Sequence, residues 1–129
     1  MTISMKNERP TNKNLIIIFC FFFMIVILFT IVTLMPKDTI GSDIPGEDFA
    51  HIYVFLILSC ILCFSKVTHV KYIYLILFSY GFLIEILQLI VGRTYSYLDM
   101  LHNFIGIGLG IGFYLFVNKI IVSKKNLIF

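Results

Sequence analysis

Residues 15–35 run for 21 positions without a charged side chain. At about 1.5 Å per helical residue, such a run crosses a hydrocarbon core roughly 30 Å thick. In water the same run would expose more apolar surface than one small domain can cover, so it fixes the solvent of this chain as lipid. A cleaved signal peptide has a shorter apolar core and a small-x-small exit, whereas Leu34-Met35-Pro36-Lys37 offers neither. The run therefore reads as a retained first span behind a polar tail, residues 1–14.

The rest of the chain repeats the pattern. Only 13% of the 129 residues are charged, against about 25% in soluble domains. An acidic loop with Gly41, Pro45 and Gly46 follows the first span. A second apolar run fits a span over 45–64, with Pro45 suited to the first helical turn. A short basic loop leads to a third span over 72–91, with Gly92 as its C-terminal stop. The fourth span covers 97–122, before a tail at 123–129. The expected fold is all-α, a four-helix bundle with four transmembrane helices in a multi-pass protein of the cell membrane.

Charge sets the orientation. Lys6, Arg9, Lys13, Lys66, Lys71, Lys119, Lys124 and Lys125 lie on one side of this arrangement, and Lys37 and Arg93 on the other. The positive-inside rule then puts both termini in the cytoplasm. Because the basic residues sit at span ends instead of forming one basic face, the net charge of +3 does not point to nucleic acid.

In this orientation the polar residues inside the spans gather near the outer surface. His51 follows Glu47 by one helical turn. Glu85 and Gln88 stand three apart near the end of span three, and Asp99 and Asn103 stand four apart at the head of span four, spacings that share a helix face. Arg93 is the nearest strong cation. Charged residues within spans cost roughly 2.5–3.5 kcal/mol on insertion scales and usually face the bundle. His51, Glu85 and Asp99 are the candidate catalytic groups, and Glu47, Gln88, Arg93 and Asn103 the candidate binding groups. Ser96-x-x-Asp99 also fits a capping box. Gly106, Gly108, Gly110 and Gly112 fit close helix packing against span two or three. Cys20, Cys60 and Cys63 sit in apolar runs as small hydrophobes. No ligand pair has dedicated metal spacing, and neither a metal nor a cofactor is expected.

The blocks Gly46-Glu47-Asp48-Phe49-Ala50-His51, Glu85-x-x-Gln88 and Arg93-x-x-Ser96-x-x-Asp99-x-x-x-Asn103-x-x-Gly106-x-x-x-Gly110 resemble those of the VanZ-like membrane proteins. The likeness covers about residues 45–115. The family's first block is similar to Asp-Lys-x-x-His with a Tyr four residues on; here Glu47, Asp48 and Phe55 stand at the Asp, Lys and Tyr positions. The resemblance implies an envelope role, since a founding member is associated with resistance to teicoplanin-type glycopeptides.

Three readings of the function stay open: a binder or resistance factor acting on an envelope component, a membrane-embedded enzyme acting on a lipid-linked phosphate substrate, and a small transporter. In the enzyme reading His51 is a general acid or base partnered by Glu85 or Asp99, and Arg93, Gln88 and Asn103 hold an anion. The expected partners are membrane lipids or a lipid-linked envelope component, with no nucleic acid and with room for a homo-oligomer.

The orientation is open to a labelling test. With Cys20, Cys60 and Cys63 replaced by serine, Gly41→Cys is expected to react with an impermeant thiol reagent on intact cells, and Ser123→Cys is not. The opposite pattern would turn the polar layer toward the cytoplasm.

Overall fold

A computed structural model describes the backbone of residues 11–35, 47–66 and 68–127, and the side chains within 11–35, 49–66 and 68–123. Most of the polar tail, the acidic loop, Pro45 and the Glu47 side chain lie outside the described residues. Four helices make up the fold: α1 (Asn12–Leu34), α2 (Glu47–Ser65), α3 (Val70–Ile90) and α4 (Tyr97–Leu127). No strand occurs among the described residues.

The helices outlast the apolar runs that define them. α1 begins at Asn12, three residues before the uncharged run, and α4 continues to Leu127, past the expected end of span four. Hydrogen bonding along the backbone does not stop where hydrophobicity does. Three helices are long and apolar enough to cross a membrane: α1, α3 and residues Tyr97–Ser123 of α4. This is a membrane protein. The apolar part of α2, Phe49–Ser65, is shorter than these three.

The connection from α3 to α4 is built by a specific stop. Gly92 has φ of 81°, the left-handed region that glycine occupies without a Cβ penalty. The Arg93 N–H donates to the Gln88 carbonyl at 2.9 Å and the Gly92 N–H to the Leu89 carbonyl at 3.2 Å. Together these bonds form a Schellman motif, which satisfies carbonyls that the last turn of α3 leaves unpaired. Four residues later the next helix has started.

Contacts fix the direction of every helix. His51 meets Asn103, Cys60 meets the Gly110 carbonyl and Phe64 meets Tyr114, so α2 and α4 run the same way. Tyr80 reaches Val26 and Gln88 reaches Thr33, so α1 and α3 run together in the opposite sense. Among the described residues α1 packs on α2 and α3 but not on α4, which places α1 and α4 on opposite sides of the α2–α3 pair. Phe55, Leu58, Ile73, Leu77, Ile84 and Ile107 form the fully buried centre. Outward-facing side chains are apolar too: Ile17 is 66% exposed, Leu75 60% and Phe116 64%. In lipid this surface is the solvated one.

α2 and α4 pack most extensively, and two glycines explain how. A Cβ on Gly106 would stand 2.5 Å from the Ile52 carbonyl oxygen, and one on Gly110 would overlap the Ser59 hydroxyl. Gly108 and Gly112 point into open space. Only half of the glycine series is therefore packing, and it packs on α2. Gly110→Leu is expected to force the two helices apart and cost about 1–3 kcal/mol. Gly108→Leu should cost far less. Thermal unfolding of the purified proteins in one detergent checks the difference; equal losses would remove the close approach as the basis of the α2–α4 contact.

Candidate functional site

The end of the bundle where α1 and α3 finish and α2 and α4 start holds most of its buried polarity. His51, Glu85, Gln88 and Asn103 are all buried, and Thr33 joins them from α1. Each arrives by local helix geometry. His51 sits one turn into α2, directly before Ile52, whose carbonyl meets Gly106. The close approach at that glycine brings the His51 ring to α4, where Nδ1 lies 2.9 Å from Asn103 Oδ1. With the amide oxygen turned to the ring, Nδ1 carries the hydrogen and Nε2 faces the Asp99 carboxylate, 4.0 Å from Oδ2. That gap is too long for a direct hydrogen bond. The Phe29 ring of α1 packs edge-on to the imidazole, 5.1 Å between centroids, and closes the side facing α1.

The head of α4 shows why Asp99 is available. Ser96 caps the helix: its Oγ accepts from the Asp99 N–H at 3.2 Å. In a full capping box the third residue would reach back to the N–H of the cap. Here that N–H donates instead to Glu85 Oε2 of α3, at 3.3 Å. Glu85 takes over the second half of the box, and Asp99 is left to face His51. Glu85 is fully buried and lies within electrostatic reach of Asp99, His51 and Arg93.

Gln88 and Arg93 serve a different carbonyl. Arg93 Nη1 donates to the Thr33 oxygen at 2.8 Å and to the Met35 oxygen at 3.3 Å, and Gln88 Nε2 approaches the same Thr33 oxygen at 3.5 Å. The last carbonyls of a helix have no partner within it and carry its negative dipole end. Arg93, turned toward α1 by the Schellman motif, caps that end. Of the sequence-derived set, His51 thus bonds Asn103 directly and faces Asp99 across 4.0 Å, Glu85 stands beside them, and Gln88 and Arg93 reach α1. Among the described residues no three His, Cys, Asp or Glu side chains are placed to hold a metal ion.

Three buried side-chain atoms at this end have no hydrogen-bond partner among the described residues: Glu85 Oε1, Asn103 Nδ2 and, one residue earlier on α4, His102 Nδ1. Asn103 Nδ2 lies over Gly81, where a Cβ would stand 2.9 Å from it. Gly81 precedes Glu85 by one turn on the same buried face of α3. Sequence reasoning missed Gly81, although its spacing of four from Glu85 was legible. Phe29 and Thr33 carried no signal, because nothing in an unbroken apolar run marks which face meets the site.

No family model matches the chain, and no curated protein and no solved structure matches it.

The Arg93 contacts predict a structural role that can be measured. Arg93→Ala is expected to destabilise the purified protein by about 1–2 kcal/mol, within the range for hydrogen bonds to charged groups reduced for partial exposure. Tighter proteolytic control of the loss comes from cleavage after α1, which should accelerate in the variant. An unchanged melting curve and cleavage rate would show that the cap contributes nothing to holding α1.

Proposed function

We propose that this chain is a VanZ-like protein of the cell membrane, with four spans and both termini in the cytoplasm, whose polar layer faces outward and captures the polar head of a membrane-anchored or lipid-linked envelope component. The observation that carries the reading is the meeting of His51, Asp99 and Asn103 from two helices beside the buried Glu85 of a third. Ionisable groups inside a bilayer are costly and mark functional sites. The distribution of Lys and Arg supports the outward orientation. For the fourth span, α2 has 19 residues, about 28 Å of helix, and lies along α4 in the same direction. A helix packed beside a spanning helix over its length shares its depth.

A second reading, an enzyme, is favoured by one detail. His51 is oriented through Nδ1 by Asn103 and presents Nε2 toward a carboxylate, the arrangement of a general base held by its neighbours. Mass spectrometry of envelope lipids from cells with and without the protein separates the two readings: a changed species identifies a reaction, and an unchanged set leaves capture.

Teicoplanin-type drugs carry a fatty tail that holds them at the membrane surface, and vancomycin lacks it. Expression in a susceptible Gram-positive host is expected to raise tolerance to the tailed drug more than to vancomycin, and Glu85→Gln with Asp99→Asn to abolish that difference. Equal inhibitory concentrations with and without the protein, at verified membrane abundance, would reject the resistance role.

A further inference from the structure

We infer that the polar layer recognises a primary ammonium group and not a phosphate. The inference rests on the reading of this layer as a capture site and names what it captures. The open hydrogen-bonding capacity at the site is mostly accepting. Glu85 Oε1 is fully buried and unpartnered among the described residues. The Asp99 carboxylate is held 4.0 Å from His51 Nε2, with its backbone N–H already on Ser96. His51 adds no free donor on its Nδ1 side, which serves Asn103 Oδ1. An ammonium offers three donors and no acceptor, together with one positive charge opposite two carboxylates. Phosphate offers the reverse.

Two of the donors that an anion would use are directed elsewhere. Gln88 Nε2 and Arg93 Nη1 point to the Thr33 carbonyl at the end of α1. The unpartnered nitrogens at this end are Asn103 Nδ2, packed against Gly81 of α3, and His102 Nδ1.

Short-chain phospholipids test the assignment on the purified full chain in detergent, by titration calorimetry. Dihexanoyl phosphatidylethanolamine is expected to bind. Dihexanoyl phosphatidylcholine, whose trimethylated head keeps the charge but has no N–H, should bind roughly tenfold more weakly, the loss that corresponds to a charged hydrogen bond. Dihexanoyl phosphatidic acid should bind no better than phosphatidylcholine. Free ethanolamine separates the sources: affinity equal to that of the lipid assigns a soluble amine, and weaker affinity assigns a headgroup. Glu85→Gln, checked for a monodisperse elution profile, should weaken phosphatidylethanolamine about tenfold. These comparisons among ligands need no variant to fold. Equal affinity for the ethanolamine and choline heads, tighter binding of phosphatidic acid, or no binding of phosphatidylethanolamine would each overturn the ammonium assignment. If the ammonium fails while the Glu85 and Asp99 substitutions still abolish the drug phenotype in cells, the capture site stands and only its ligand class falls.

Discussion

The His51 ring reaches Asn103 only because α2 and α4 approach at Gly106 and Gly110 more closely than any residue with a Cβ would allow. In lipid there is little hydrophobic gain from joining two apolar helices, so association depends on packing and on interhelical polar contacts. Here the two occur on the same face of α4. Asn103, Gly106 and Gly110 follow at spacings of three and four, and the glycines set the distance at which the asparagine bond closes. Everything else in the polar layer is placed relative to that contact.

Satisfaction of the buried groups is shared across helices instead of within them. Serine caps α4, a glutamate from α3 takes the N–H of that serine, and an arginine from the α3–α4 connection takes the open carbonyls of α1. Each of these bonds ties one helix end to another. The end of the bundle that carries the site is therefore also the end that its own polar contacts fasten, whereas Ser65 at the far end of α2 turns back to its own helix. Tyr80 adds a smaller version of the same device at mid-depth, donating to the Val26 carbonyl and meeting the Thr30 hydroxyl of α1.

Helix content, the Gly92 stop and the Ser96 cap were legible in the sequence because each depends on a few neighbouring residues. The gathering of His51, Glu85, Asp99 and Asn103 at one end was legible as well, since depth along a helix follows from counting residues. Rotation about the helix axis was not. The apolar runs are so uniform that Phe29 and Thr33 could not be distinguished from the lipid-facing residues beside them, and the four alternating glycines of α4 gave no hint that Gly106 and Gly110 pack while Gly108 and Gly112 do not. Arg93 was legible only in part. Its charge lies within electrostatic reach of Glu85, as the sequence suggested, but helix carbonyls are acceptors that no residue pattern advertises, and the bonds of its guanidinium to the end of α1 could not be read.

The position four residues after His51 bears on how the site works. On the proposed VanZ-like reading a tyrosine stands there, and this chain has Phe55. Its ring is fully buried, 6.0 Å from Phe29 and 5.7 Å from Tyr80 between centroids. A hydroxyl on Phe55 would have to find a partner in this aromatic stack, at a cost comparable to a lost hydrogen bond if it did not. The phenol at this depth belongs to Tyr80, and it is directed to the backbone of α1. One helical turn below the imidazole the chain thus offers aromatic surface without an available hydroxyl. His51, Glu85, Asp99 and Asn103 form one polar layer, and beneath it the rings of Phe29, Phe55 and Tyr80 form an aromatic floor.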